Sequence, residues 1–493
     1  MTHYDLAVIG GGPAGATLAS LVAMQGHHVL LLEKERFPRH QIGESLLPAT
    51  VHGICRLLGL TDKLAKAGFQ RKSGGTFLWG SSSVPWSFAF SKVTGSPTGY
   101  AYQVERSRFD KLLLDNAAEL GVQVEEEATV SEISLENDRF ETVCYREHRG
   151  STRTVNATFI ADAGGHQSPF YRLIGERVFS TFFQNVALYG YFNNGKRLPE
   201  PNSGNILCAA FQDGWFWYIP LSPNLTSVGA VVSKNAAEKI REGKEEAFDE
   251  YINRCPIIRD YLSRASRITQ GQYGALRVRK DYSYCNTSFY DKRLALVGDA
   301  ACFVDPVLSS GVHLATYSSL LAARSINTCL AGALPEKVAF KEFELRYRRE
   351  FGMFYRLLTS FYDMHRDDSS YFWEARKILN TTEPADEAFV RLVAGLSERQ
   401  DQAFSACDQT LRTWFDERNS QARSQSVGRG NQMDLGGFDF DSFVPGLNKE
   451  ITQIQLQALL GPQRPAERPF EDGGLIPSLD GFHWVRASDH CRP

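Results

Sequence analysis

Residues 4–33 read YDLAVIGGGPAGATLASLVAMQGHHVLLLE. Tyr4 to Ile9 is an apolar run without alternation, the pattern of a strand buried on both faces of a parallel sheet. Gly10-Gly11-Gly12-Pro13-Ala14-Gly15 fits GxGxxG, and the spacing predicts a helix over Pro13–Gln25 and a second strand over His28–Leu32. Gly10 permits the tight turn, Gly12 lets a pyrophosphate approach the backbone, and Gly15 lets helix pack on strand. Pro13 and Ala14 open the helix, whose N-terminus faces the phosphates. Glu33 follows Gly15 by 18 residues. A carboxylate there, at the end of the second strand, accepts hydrogen bonds from a ribose diol. The stretch is a Rossmann-like dinucleotide-binding βαβ unit in a chain of α/β (α+β) class.

Working outward, the 493 residues exceed what one core needs, so two or three structural units are expected. Thr76–Val104 reads as short strands, Arg108–Leu120 as an amphipathic helix, Val122–Arg146 as a strand meander and Thr158–Ala163 as a buried strand. Residues 179–277 alternate short β-type runs with one charged helix over Ala236–Asn253. Arg293–Val297 is a last buried strand, and Ser310–Leu330 a long apolar helix. These elements divide the chain into a dinucleotide-binding module over 1–330, with a β-sheet substrate domain inserted at about 70–105 and 176–282, and a mostly helical region over 331–493. The polar stretch 417–437 is expected to be mobile.

A net charge of -3 excludes a strong electrostatic pull toward nucleic acid or anionic lipid. The nine cysteines form no CxxC pair, which argues against a metal site and for reduced thiols. No signal peptide is recognised, and the apolar window Leu6–Ala23 is broken by a Gly-Pro cluster that a membrane span would not carry. A soluble cytoplasmic protein is expected.

Two further segments point to FAD. Gly298-Asp299, after a buried strand, resembles the second FAD motif of the aromatic hydroxylase class, where the Asp contacts the ribityl chain. Asp162-Ala163-Gly164-Gly165 with Ser168 resembles the third motif, near the pyrophosphate. Arg39 and Arg106 resemble arginines of that class that contact the cofactor. The bland alternatives are a helix cap for the Asp and ordinary surface positions for the arginines.

Trp215-Phe216-Trp217-Tyr218-Ile219-Pro220 matches the WxWxIP signature of flavin-dependent halogenases. Gly43-Glu44-Ser45-Leu46-Leu47-Pro48, Lys72 to Gly80 (KSGGTFLWG) and Asp305 to His313 (DPVLSSGVH) are similar to segments of that family. The similarity runs from residue 4 to about 375. Within the family the chain resembles most the tyrosine and phenol halogenases of glycopeptide-type nonribosomal peptide biosynthesis, on phrases such as Gly204-Asn205-Ile206-Leu207 and Leu276 to Tyr284 (LRVRKDYSY).

The resemblance implies a reaction. Reduced FAD, supplied by a separate flavin reductase, takes O2 to a hydroperoxide; chloride attacks it and hypochlorous acid forms. Trp215 and Trp217 would wall the substrate from the flavin, and Lys72 would hold the oxidised chlorine and pass it to the ring. Ser309, Ser310 and Gly311, at the start of the long helix, would bind chloride, with Gly311 also beside the cofactor. The implied substrate is a phenolic, tyrosine-type ring chlorinated ortho to its hydroxyl, on an aminoacyl or peptidyl group tethered to a peptidyl carrier protein. Tyr371-Phe372-Trp373 is a candidate for the tunnel entrance, in a region that is a candidate carrier-docking face. Cys285 is a candidate for a covalent link to the flavin, the alternative being a buried inert thiol. An NAD(P)H-dependent aromatic monooxygenase and a non-enzymatic flavin-binding interaction protein stand as alternatives, the WxWxIP segment and Lys72 speaking against both.

Overall fold

The computed structural model describes residues 2–79, 84–94, 98–148, 150–363, 385–396 and 475–486. The opening βαβ unit comprises strand His3–Ile9, helix Pro13–Ala23 and strand Val29–Leu32. Both strands are almost wholly buried, as their unbroken apolar sequence requires. They are the centre of an eight-stranded sheet. Leu294–Leu296, Thr152–Asp162, His3–Ile9, Val29–Leu32 and Gln123–Glu125 run parallel and in that order. The hairpin Thr129–Glu136/Arg139–Arg146 joins the first half of Thr152–Asp162 antiparallel. Helix Arg106–Glu119 starts two residues earlier than its periodicity suggested.

A second, nine-stranded sheet is mostly antiparallel. Its order is Cys302–Phe303, Arg277–Asn286, Arg177–Asn193, Leu225–Ser233, Gly214–Pro220, Ile206–Phe211, Gly74–Leu78 and Trp86–Ala89, with Ser266–Arg267 alongside Arg177–Asn193. The sheet therefore draws on both stretches expected for the inserted domain. Gln70–Lys72 lies outside it, in a two-stranded ladder with Ala101–Gln103.

Three expectations are corrected. The single charged helix over Ala236–Asn253 is two pieces, Glu238–Glu242 and Lys244–Arg254, because extended backbone at Gly243 interrupts it, and a third helix, Pro256–Tyr261, follows after extended Cys255. The β-type runs beginning at Phe179 belong to one 17-residue strand whose ladder shifts register between Phe179 and Gln184. In the C-terminal region, Leu475–Pro477 and Trp484–Arg486 form a hairpin packed on the long helix Ser310–Leu330. Helix Glu336–Asp363 also packs along that helix. Phe351, Phe354, Leu357 and Phe361 of the packed helix are buried, so its aromatics are core. Tyr371, Phe372 and Trp373, and the stretch 417–437, lie outside the described residues.

Candidate active site

A cleft of about 890 Å³ lies where the two sheets meet, near the upper end of the roughly 300–1,000 Å³ usual for ligand sites. Gly10, Gly12, Pro13, Ala14 and Glu33 line it, and so do Trp215 and Trp217. Gly15 does not line the cleft. A Cβ there would lie 1.8 Å from the Gly10 carbonyl oxygen, so Gly15 lets the helix sit against the turn. Gly10 has φ +100°, and a Cβ on it would meet the Ala163 carbonyl at 2.5 Å. Both glycines are required by close backbone approach. Glu33 accepts hydrogen bonds from Gly11 N (2.6 Å) and Glu35 N (2.8 Å), which fixes its carboxylate at the cleft wall with lone pairs to spare.

Arg39 and Arg106 line the cleft and share one buried anion. Asp110 accepts from Arg39 Nη1 (2.9 Å), Arg106 Nε (2.7 Å) and Arg106 Nη2 (2.9 Å). Arg106 also donates to the Ile42 carbonyl. Asp110 sits four residues after Arg106 on one helix face, an i,i+4 spacing that sequence reasoning passed over.

Asp299 is half-buried and lines the cleft; desolvation raises its pKa, against the pull of Arg279, Arg106 and Arg177. Asp162 is placed differently from the expectation. It is fully buried, accepts from Ser168 Oγ (2.7 Å) and Gly164 N (2.9 Å), and stands behind the cleft. Its burial holds the carboxyl at about 6. Asp162 shapes the turn that presents Ala163, Gly164 and Gly165 to the cleft.

Trp215 and Trp217 alternate on one strand, so their indoles share a face, with ring centroids 6.2 Å apart. Trp215 Nε1 donates to Tyr362 Oη (2.5 Å), and Tyr362 donates to Asp305 Oδ2 (2.7 Å). Trp217 Nε1 donates to Ser227 Oγ (3.2 Å). Opposite Trp217 in the ladder is Gly229, where a Cβ would lie 2.2 Å from the indole. Tyr362 comes from a helix 147 residues downstream of Trp215, a contact no local pattern announces.

Lys72 is 2% exposed and does not itself line the cleft. Its Nζ donates to Ser45 Oγ (2.8 Å), which does line it, and to the Leu46 carbonyl (3.1 Å). Desolvation pulls the amine down from 10.5 to about 7. Ser309 and Gly311 line the cleft at the start of the 21-residue helix, with Ser309 left-handed at φ +61°. Ser310 is fully buried, off the cleft, and its Oγ has no hydrogen-bond partner. Cys285 also stands off the cleft. Its Sγ accepts from Arg348 Nη1 (3.4 Å), and it faces Cys302 across the ladder.

Comparison with known proteins fixes the family. The tryptophan halogenase family profile matches residues 5–98 and 91–407. This chain belongs to the tryptophan halogenase family of flavin-dependent halogenases. The halogenase is 35% identical over 376 residues to a tryptophan 2-halogenase of Chondromyces crocatus, covering 75% of this chain and 70% of the relative. It is 32% identical over 374 residues to the flavin-dependent halogenase gsfI of Penicillium aethiopicum, covering 70% and 68%. Among solved structures, the myxobacterial chondrochloren halogenase CndH is 55% identical with a TM-score of 0.77, covering 98% of this chain and all of that one. The flavin-dependent halogenase CmlS is 29% identical with a TM-score of 0.71, covering 99% and 84%.

The halogenase is thus an enzyme that uses FAD, reduced by a separate flavin reductase, with halide as substrate. The cleft fits the cofactor on its own terms: glycines where a Cβ would intrude, a fixed carboxylate at the strand end, and two arginines at the wall. Among the described residues no His/Cys/Asp/Glu group is arranged to hold a metal ion, and no helix is long and apolar enough to cross a membrane.

Proposed function

We propose that this halogenase chlorinates a phenolic, tyrosine-type ring ortho to its hydroxyl, on an aminoacyl or peptidyl group held by a peptidyl carrier protein. The observation that carries the mechanism is Lys72: a buried amine near neutrality, joined through Ser45 to the cleft that the tryptophan pair also lines.

Bound in reduced form, FAD supplies the electrons that activate O2 toward halide. The chain does the rest. Glu33 would hold the ribose diol and Asp299 the ribityl hydroxyls, and the first turn of helix Pro13–Ala23 would meet the pyrophosphate. Backbone N–H groups at Ser309 and Gly311 would hold chloride at the positive end of the long helix. Trp215 and Trp217, held by Tyr362 and Ser227, would wall the ring to be chlorinated from the cofactor.

As an ammonium, Lys72 donates a hydrogen bond to hypochlorous acid; as a free amine it accepts the electrophilic chlorine. A value near 7 makes both forms available at neutral pH. A phenol suits this chemistry because its hydroxyl raises electron density at the ortho carbon. The 55% identity to the chondrochloren halogenase, against 35% to the tryptophan 2-halogenase of Chondromyces crocatus, supports a substrate other than free tryptophan.

The test supplies reduced FAD, O2 and chloride to the enzyme with free tyrosine, free tryptophan and carrier-bound tyrosyl or peptidyl substrates, and reads products by mass spectrometry. Chlorination of the tethered phenol is expected. Equal chlorination of free tyrosine removes the carrier from the proposal, preference for tryptophan overturns the phenol, and hydroxylation without chloride dependence favours a monooxygenase.

A further inference from the structure

A chain of three polar side chains runs from the rim of the cleft to a buried acid. His40 is half-buried and lines the cleft, with Nε2 2.8 Å from Tyr191 Oη. Tyr191 donates to Glu44 Oε1 at 2.9 Å. Glu44 is 2% exposed and also lines the cleft, and its second oxygen, Oε2, has no hydrogen-bond partner. We propose that His40, Tyr191 and Glu44 form a proton relay that brings solvent protons from the rim to the interior of the reaction cleft.

The need for a proton follows from the family's net reaction, on which this proposal rests. A C–H bond, a halide ion, reduced FAD, O2 and one proton become a C–halogen bond, oxidised FAD and two waters. Of the four hydrogens in those waters, two come from reduced FAD, one from the C–H bond and one from solvent. A site walled by buried aromatics has to import the last one.

The geometry carries it by hydrogen-bond exchange without change of oxidation state. A proton taken up at His40 Nδ1 lets the Nε2 proton pass to Tyr191 Oη while the Tyr191 hydroxyl proton passes to Glu44 Oε1. Glu44 releases its own proton from Oε2 into the cleft; tautomer exchange of His40 with solvent, rotation of the Tyr191 hydroxyl back toward Glu44 and turning of the carboxyl so that its new proton faces the cleft reset the chain.

The surroundings favour this over a locked ion pair. Arg106 lies near Glu44 but spends its fork on Asp110 and the Ile42 carbonyl. Burial raises Glu44 to about 7, opposed by Ser227, Tyr191 and Arg106 and reinforced by Glu105, so the acid is partly loaded at neutral pH. Burial, then Arg277, Arg106 and Arg39, lower His40 to about 4, so it conducts rather than stores the proton. Burial and Glu44, with Tyr189 and Tyr273 beside it, push Tyr191 up, so it remains a neutral carrier.

The carboxyl is read directly by infrared spectroscopy of 13C-glutamate-labelled protein, with and without FAD, against Glu44→Gln as the blank. A Glu44 C=O band titrating near neutrality is expected, shifted to higher pH in Tyr191→Phe, which loses a donor that favours the carboxylate. In turnover, Tyr191→Phe and His40→Phe are expected to slow halogenation about a hundredfold, the scale of general acid catalysis. FAD affinity should be kept, the loss should steepen as pH rises, and added imidazole should restore part of the rate to His40→Phe. A Glu44 already ionised at about pH 5, or Tyr191→Phe with wild-type rate and pH profile, overturns the relay. The titration needs no turnover, so its failure is distinct from failure of the halogenase reading, which would show as a wild-type enzyme yielding no halogenated product.

Discussion

Lys72 is a charged residue type in a place where charge is costly. Its ammonium gives up water and gains only a hydroxyl and a carbonyl, with no carboxylate in hydrogen-bond reach to offset the loss. Its folded pKa of about 7 lies below the 10.5 of the exposed amine, so the unfolded chain binds more protons between those values. The cost to stability is therefore complete below about 7, shrinks as pH rises, and is gone above 10.5. Lys72→Leu is expected to raise the melting temperature clearly at pH 6.5 and much less at pH 10, while chlorination disappears and reduced flavin still consumes O2. Equal stabilisation at both pH values would mean that the amine is not desolvated as described; retained chlorination would remove Lys72 from the chemistry. At this scale the sequence was legible where a motif numbered the residue, as at Lys72, Glu33 and Trp215. It was silent on Asp110, Tyr362 and Tyr191. Each of these acts through a partner, and for Tyr362 and Tyr191 that partner lies more than a hundred residues away. Asp162 shows the limit of a motif: it names the turn but not which way the carboxylate points.

At the scale of elements, the tryptophan pair depends on the strand beside it. Gly229 faces Trp217 across the antiparallel ladder, and the indole lies flat over the space that a side chain would fill. Gly229→Ala puts a methyl group 2.2 Å from a ring atom. The indole must swing away, which breaks its bond to Ser227 and, on the proposed role of the pair, opens the wall between cofactor and ring. The expected outcome is a folded, FAD-binding protein, destabilised by about 1–3 kcal/mol as in other overpacked cores. More of its O2 consumption should be uncoupled from chlorination. A Gly229→Ala enzyme with wild-type coupling would show that the position of Trp217 is not critical. The strand Gly214–Pro220 was legible because two Trp at i, i+2 mark one face, but its partner was not, since register is set by pairing across the sheet. The βαβ unit was legible almost to the residue because its strands are buried on both faces and its turn is written in glycine. The charged helix over Ala236–Asn253 was misplaced because its polar periodicity continues across Gly243, where the backbone is extended.

The whole molecule is tied together by its last described segment. The hairpin Leu475–Pro477/Trp484–Arg486 returns to helix Ser310–Leu330, whose first turn lines the cleft. Trp484 is 1% exposed; its backbone N–H donates to Thr328 Oγ1 (2.8 Å) and its indole N–H to Ser325 Oγ (2.9 Å). Arg324 and Arg346 sit over its ring, at 5.1 and 5.0 Å from the centroid. Arg324 also donates to the Gly481 carbonyl, and Arg346 to the Leu475 carbonyl. Two buried guanidinium groups thus depend on the hairpin for an aromatic face and for acceptors. The tail's Pro- and Gly-rich sequence gave no sign of this, because a three-residue strand has too few positions to show a period. Trp484→Ala is expected to cost about 3–5 kcal/mol, the range for truncating a buried Trp. It should nevertheless leave FAD affinity near wild type. Ser325 is 14 residues from Gly311, about 21 Å along the helix, so the cavity opens at the end remote from the cofactor. Denaturant unfolding and FAD titration on the same variant separate the two effects. Loss of FAD binding in a protein that still unfolds cooperatively would show that the long helix transmits disorder along its whole length, making the hairpin part of the site rather than a remote support for it.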